Sequence, residues 1–405
     1  MKNTLLKIFL LVSLLCILTL WGWQITAKIQ DRKLFSQNQL TPAILPPTLI
    51  SEDLSELTPG NINNLEEISL FQQSEHMQFI VLAELETDRS LLGVTKDGFL
   101  YRWIPNSSLP SPQVIFGVVG LTKQQMDNYS IHEISAGVSF NQNGEFVIVP
   151  SQLDSGGIYG YNIWDTIGFR LLDCVGKEQY CPGWPQGDDS FKNLIIHPTE
   201  NLILASHAYL LSGWHGFNGY PTNPGDVFHE WTEEELIITR LAIDFHGDYF
   251  AFADDGGHIQ VVDIRVYKQN ADRVPVNDSF EINSKKLTGD KTAPKIIDLE
   301  LDDTHSWLGW LTDQSVFLWS FQNYLSPLKF SADIDDGNAI SFDRTGNILA
   351  VATQTGIEIF NTETGKRIAT YPVGDITAIY FSRDNRLLIW GDSNGGIHVW
   401  GIKNY

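Results

Sequence analysis

The sequence is poor in the residues that most often carry chemistry. Only three of its 405 residues are cysteine and only three are methionine. No CxxC or Cys/His spacing of the kind that holds zinc occurs, so the chain offers no metal site. Basic residues are scarce as well: 27 Lys and Arg stand against 49 Asp and Glu, a formal charge of −22. So acidic a surface repels phosphate backbones, which argues against a nucleic-acid partner. Catalytic motifs are missing. There is no GxSxG elbow, HExxH, P-loop or strand-linked GxGxxG, and the ten histidines are scattered. No catalytic residue and no cofactor is therefore assigned.

Long hydrophobic runs are lacking too, with one exception at the start. Leu5 to Ile25 is apolar apart from Lys7 and a few small or polar residues. At about 20 residues it matches the thickness of a bilayer core. Trp21 and Trp23 stand at its far end, where indoles favour the interface. A cleaved signal peptide is the competing reading. Its apolar run would be shorter, and Ile25 fits poorly at the small-residue position before Ala27. Residues 1–27 are thus expected to be a transmembrane anchor or uncleaved signal. Residues 28–63 are polar and carry Pro42, Pro46, Pro47 and Pro59, the composition of an extended linker. Residues 64–405 make the globular body.

Lysines and arginines flank the apolar run on both sides, so the positive-inside count leaves its orientation open. The cysteines bear on it. Cys16 lies in the apolar run, while Cys174 and Cys181 bound a short segment of the body. Two readings stand side by side: a local disulfide formed in an oxidising compartment, or two separate thiols. The first places the body outside the cytoplasm, on a single-pass anchor, and that is the location expected here.

What the body has in abundance is a repeat. Asp375-Ile-Thr-Ala-Ile-Tyr-Phe-Ser leads to a turn, then Arg386-Leu-Leu-Ile-Trp-Gly, a second turn, and Ile397-His-Val-Trp-Gly-Ile. The unit before it follows the same plan, from Asn338-Ala-Ile-Ser-Phe-Asp through Asn347-Ile-Leu-Ala-Val-Ala to Ile357-Glu-Ile-Phe-Asn. Aligning the residue before the first turn gives seven units, at Leu85, Phe140, Ile196, Ile243, Leu301, Phe342 and Phe381. The last two intervals are about 40 residues, and the earlier ones are longer, as insertions would make them. Short apolar strands with tight turns cannot bury both faces of a sheet alone. Packing such sheets radially and closing the circle buries the faces and protects the edges.

These units resemble the WD40-repeat propellers over roughly residues 65 to 405. The resemblance rests on Trp164-Asp165, on Ile357-Glu-Ile-Phe-Asn-Thr-Glu-Thr-Gly-Lys-Arg-Ile-Ala-Thr, and on the Phe-x-x-x-Gly turns. The family's Gly-His dipeptide is absent from the repeats, and most units end in Arg-Trp, Leu-Trp or Val-Trp. The resemblance implies an all-β, seven-bladed, WD40-like β-propeller, preceded by the N-terminal transmembrane helix. The last unit lacks an outer strand, and Leu65 to Gln72 is an orphan strand that would complete it.

One segment stands apart. Between His207 and Trp231 the third unit is interrupted by Trp214, His215, Phe217, Tyr220, His229 and Trp231 among glycines and prolines. Aromatics so framed read as a partner-binding surface; the alternative is a loop that buries its own rings. Two functions follow. The first is a membrane-anchored extracytoplasmic scaffold that binds a protein partner. The second is a propeller-type enzyme, quinoprotein-like dehydrogenase or hydrolase, with its site over the central channel. The repeated tryptophan-docking pattern of the quinoprotein propellers is absent, so the first is the expectation.

Overall fold

Short apolar runs separated by Asp-, Asn- and Gly-rich turns favour strands, and strands dominate the structure. This computed structural model describes residues 54–404 except 73–77, 97–98, 104–112, 118–137, 142, 155–156, 168–169, 177–190, 199–201, 208–209, 216–225, 231–236, 266–278, 284–293, 305–306, 322–331 and 335. All of the described residues lie in one compact unit, Ala43–Tyr405.

They form seven antiparallel sheets of four strands each. Sheet 1 runs Phe79–Glu84, Leu91–Thr95, Phe99–Trp103 and Gln113–Gly117. Sheet 2 comprises Ser139–Phe140, Phe146–Asp154, Gly157–Asp165 and Arg170–Gly176. In sheet 3 the strands are Phe191–Ile196, Leu202–His207, Leu210–His215 and Asp226–Glu230. Sheet 4 has Ile238–Ile243, Tyr249–Asp254, His258–Asp263 and Ser279–Asn283. Sheet 5 has Ile296–Leu301, Leu308–Thr312, Ser315–Trp319 and Ala332–Asp333. Gly337–Phe342, Ile348–Thr353, Ile357–Asn361 and Lys366–Tyr371 make sheet 6. Sheet 7 takes Ile376–Phe381, Leu387–Asp392 and Gly396–Gly401 from the C-terminus, and its fourth strand is Glu66–Gln72 from the other end of the chain. The orphan strand therefore sits where the sequence expected it, paired antiparallel with Gly396–Gly401.

The repeat has a local cause. After the first strand, an Asx-type side chain accepts the backbone N–H five residues on and holds the turn. Asn141 does this for Phe146, Asp244 for Tyr249, Asp302 for Trp307 and Asp343 for Ile348, at 2.6–2.8 Å. In sheet 7 the hydroxyl of Ser382 takes the role, accepting from Leu387 N at 2.9 Å. Sheet 1 departs from this: Leu85 stands at the turn position, its N–H on Ser90 O, so the residue matching Phe342 and Phe381 is Glu84 rather than Leu85.

A second signature is the same irregularity in six of the first strands. The pairing register shifts by one residue at Ile80, Lys192, Thr239, Ile297, Asn338 and Thr377. Such a bulge takes one residue out of the ladder and increases the local twist.

Apolar cores lie between consecutive sheets. Leu85, Leu92, Val94 and Leu100 of sheet 1 pack on Val138, Val147 and Val149 of sheet 2. Ala251, Ile259 and Val261 of sheet 4 pack against Leu299, Trp310 and Phe317 of sheet 5. Phe79, Tyr101 and Trp103 of sheet 1 pack on Ile389, Ile397 and Val399 of sheet 7. Burying a side chain of this size is worth about 1.5–3 kcal/mol, so these seams dominate the cohesion between sheets. Among the described residues no helix is long and apolar enough to cross a membrane; the apolar segment 5–25 lies outside them.

Candidate functional site: the cavity between the first strands

The first strands of neighbouring sheets are joined by hydrogen bonds between side chains and backbone. Asn193 donates its amide to Ile238 O across sheets 3 and 4, at 3.2 Å. Arg240 Nε donates to Ile297 O across sheets 4 and 5, at 2.5 Å. Between sheets 5 and 6 the direction reverses: Asp298 accepts Ile340 N at 2.9 Å and Glu300 accepts Phe342 N at 3.1 Å. Asn338 Nδ2 reaches Ile376 O, from sheet 6 to sheet 7, at 2.8 Å. Glu84 accepts Arg383 N, between sheets 1 and 7, at 3.0 Å. Glu86 N donates to Asn143 O at 2.9 Å, between the turns of sheets 1 and 2. The weakest link is between sheets 2 and 3, where Ile196 N lies 3.5 Å from Ser139 Oγ.

These strands enclose a cavity of about 220 Å³ to which every one of the seven sheets contributes its first strand. The wall mixes polar and aliphatic residues. Arg240, Asp298, Asn338 and Thr377, on the consecutive sheets 4 to 7, bring polar groups to it. Aliphatic residues line it all round, from Ile80, Leu82 and Leu194 of sheets 1 and 3 to Leu241, Ile297, Ile340 and Ile379 of sheets 4 to 7. Burial pushes the Asp298 carboxyl up, against the pull of its two backbone N–H donors and of Arg240. Glu300, two residues further along the same strand, is pushed up well beyond the ordinary carboxylate range by burial and by the adjoining Asp298 charge.

One end of the first strands carries a charged and aromatic cluster. The Arg344 guanidinium, on the turn of sheet 6, pairs with Asp303 on the turn of sheet 5 at 2.6 Å. It also donates to the Tyr380 hydroxyl at 3.3 Å. Phe245, on the turn of sheet 4, lies 4.7 Å below the Arg344 guanidinium and 6.0 Å from that of Arg383 on sheet 7. Sheet 4 is not a sequence neighbour of sheets 6 or 7, so this stack bridges between turns that are far apart in the chain. Arg383 further pairs with Glu86 at 3.3 Å, and Arg89 joins Glu84 to Asp384.

The residues singled out in the sequence are distributed differently. Trp214 and His215 end the third strand of sheet 3, opposite Ile203 and Leu202. His229 is on the fourth strand of that sheet, opposite Leu211. Phe217, Tyr220 and Trp231 lie outside the described residues. What reads in sequence as one inserted loop is therefore strand at both described ends. Because His215 pairs with Leu202, which follows the first turn of sheet 3, the connection leaves at the end of the sheet where the first turns lie. Cys174 is on the fourth strand of sheet 2, opposite Asn162, and Cys181 lies outside the described residues. Among the described residues no group of three His, Cys, Asp or Glu is placed to hold a metal ion.

The cavity and its cluster were missed in sequence. One signal was available: Ile296-Ile-Asp-Leu-Glu-Leu carries two carboxylates inside a strand that is otherwise apolar. Comparison with protein-family models and with curated proteins finds no match to this chain.

Proposed function

We propose that the body is a seven-bladed, WD40-like β-propeller, held outside the cytoplasm by its N-terminal membrane segment, that works as a protein-binding scaffold. The observation that carries the reading is the cavity lined by one first strand from each of the seven sheets. Radial packing of seven blades about a channel accounts for that lining, for the apolar seams between consecutive sheets, and for a fourth strand of sheet 7 drawn from the far end of the chain. The scaffold reading is favoured over an enzyme because the sequence carries none of the familiar catalytic motifs.

The partner-binding surface of this reading is the end of the propeller that carries the first turns. The connection between His215 and Asp226, which carries Phe217 and Tyr220, leaves sheet 3 there, whereas Glu230 pairs with Leu210 at the opposite end; aromatic side chains at such a rim can desolvate against a partner at about 2 kcal/mol or more each. The test is crosslinking of the full-length protein in native membranes, beside a variant with Trp214→Ala, Phe217→Ala and Tyr220→Ala. Loss of a specific crosslinked species, with an unchanged melting temperature, supports the reading. Retention of every species at wild-type yield rejects this surface, and an unfolded variant shows that the rings belong to the core.

A further inference from the structure

Each turn after a first strand offers one residue directly behind the turn position. On sheets 4 to 7 and then sheet 1 these are Phe245, Asp303, Arg344, Arg383 and Glu86. On sheet 3 it is the buried Pro198, behind His197, and on sheet 2 Gln142 lies outside the described residues. The five charged and aromatic side chains form one network. Asp303 pairs with Arg344 and Glu86 with Arg383. Phe245 lies against both guanidiniums and meets the His246 ring edge-on at 5.3 Å.

Sheet 5 stands between sheets 4 and 6, yet Phe245 reaches Arg344 and, one sheet further on, Arg383. In sheets packed radially, members that are not neighbours touch only near the axis, where the first strands converge. Phe245 therefore lies across the mouth of the cavity, outside the seams between sheets. Its backbone is fixed. Asp244 accepts the N–H groups of His246, Asp248 and Tyr249 at 3.3, 2.8 and 2.6 Å. With the turn held, the motion left to the ring is rotation about its side-chain bonds. Its cation–π contacts are weak beside the burial of a phenylalanine in a core, so that rotation is cheap.

A segment from the far end of the chain braces this mouth. Leu54 bridges to Lys403, and Ser55 N donates to Ile402 O at 2.8 Å. Leu57 is buried; its N–H donates to Asn385 O at 2.7 Å, and Asn385 Nδ2 donates back to Leu57 O at 3.1 Å. Asn385, on the turn of sheet 7, is itself buried and has a φ of +56°. Its amide also donates to Asp343 of sheet 6 at 3.1 Å, and its side-chain oxygen accepts Arg344 N at 3.4 Å. A continuous path thus runs from Leu57 through Asn385 to Arg344 and Phe245.

We propose that the network is a gate over one end of the central channel, with Phe245 as its plug, and that residues 54–57 hold it shut through Asn385. The inference rests on the propeller reading and adds a controlled opening to it. When Leu57 leaves Asn385, Arg344 loses its brace and the Phe245 ring swings out.

The test places a cysteine just inside the gate. Ser341 is 5% exposed and stands between the cavity-lining Ile340 and the capping Asp343. Labelling of Ser341→Cys by N-ethylmaleimide is followed in the full-length protein in detergent, by mass spectrometry of that peptide. With Phe245 in place labelling should be slow. Phe245→Ala should speed it at least tenfold, whereas Phe245→Tyr keeps a ring and should leave it slow. Asn385→Gly tolerates the positive φ and removes only the amide. It should also speed labelling, and combined with Phe245→Ala it should label no faster than Phe245→Ala alone, as expected of two residues acting through one gate. Leu57→Ala takes its place if Asn385→Gly fails to fold. Unchanged labelling in folded Phe245→Ala overturns the gate, and unchanged labelling in the folded brace variant overturns the role of residues 54–57. Fast labelling with Phe245 in place also overturns the gate. If that protein melts in one transition the propeller reading stands; if it melts in several, both fall.

Discussion

Glu300 shows how a single residue can hold two sheets together and strain the fold at the same time. Its carboxylate accepts Phe342 N–H from the neighbouring sheet, while burial and Asp298 hold its proton affinity well above that of a free glutamate. A carboxyl whose folded pKa is raised binds its proton more tightly in the folded state. The fold is therefore most favoured below the unfolded value of 4.5 and loses stability as pH rises through the folded value. Glu300→Gln keeps the acceptor and removes the charge. The variant should melt higher than the parent at pH 8, with each kcal/mol gained worth roughly 2–4 °C, and the gap should close toward pH 5. Melting curves across that range check it; a variant that melts lower at every pH would show that the charge itself is needed. Gly247 makes the converse point about space. Its φ is +68°, and a Cβ there would collide with the His197 ring of the preceding sheet. That glycine belongs to the same pattern as Gly144 and Gly346, whose turns also press on the sheet before them. The Phe-x-x-x-Gly spacing visible in sequence is thus a contact between sheets as well as a turn signal.

Among the elements, the strand Glu66–Gln72 depends on one histidine of its partner strand. His398 lies 2.7 Å from Glu67 on Glu66–Gln72 and 3.2 Å from Asp392, and stacks on Trp390 at 3.6 Å between ring centroids. Burial works against its charged form, and the hydrogen bonds to Asp392 and Glu67 outweigh that, so its pKa is raised above 6.5. Asp392 is lowered below 3.8, burial being outweighed by His398 and by the Gly396 and Asn394 N–H groups. The histidine contribution is complete below its unfolded value of 6.5 and is lost as pH rises through the higher folded value. The aspartate contribution is present above 3.8 and lost as pH falls through the lower folded value. Together they stabilise the pairing most between these limits. His398→Gln should cost about 1 kcal/mol or more at pH 6 and much less at pH 9. Hydrogen exchange of the Glu66–Gln72 amides in parent and variant reports this directly. Equal protection in the two proteins at pH 6 would assign the strand's docking to its apolar contacts alone.

For the whole molecule, the proposed closure makes the stability of sheet 7 that of every sheet. Removing Glu66–Gln72 uncovers the edge of Gly396–Gly401. Leu54, Ser55 and Leu57 keep their own contacts to Lys403, Ile402 and Asn385 in that variant, so the loss isolates the edge strand. If the seven sheets form one closed ring, the deletion lowers a single melting transition of the full-length protein by roughly 10 °C. A new early transition confined to part of the signal, with the main one unmoved, would show that sheet 7 melts by itself and that the ring is not a cooperative unit.

The sequence by itself determined the strands and their repetition, because each depends on neighbours in the chain; the completing strand followed from the count, since the last repeat has three strands and Glu66–Gln72 stands before the first. Asn141, Asp244, Asp302, Asp343 and Ser382 cap turns a few residues away. The runs between them alternate or saturate with apolar residues over five or six positions, as in Tyr249–Asp254 and Ile348–Thr353. The slip at Leu85 arose where the turn lacks that polar cap and hydrophobicity alone placed the boundary. What only the tertiary structure decided is which side chains meet across sheets. Arg240, Asp298, Asn338 and Thr377 come from strands some 40 to 60 residues apart, and the Phe245–Arg344 stack joins positions about 100 apart. Contacts at that separation arise from how the sheets pack against one another, and no local pattern of residues encodes them.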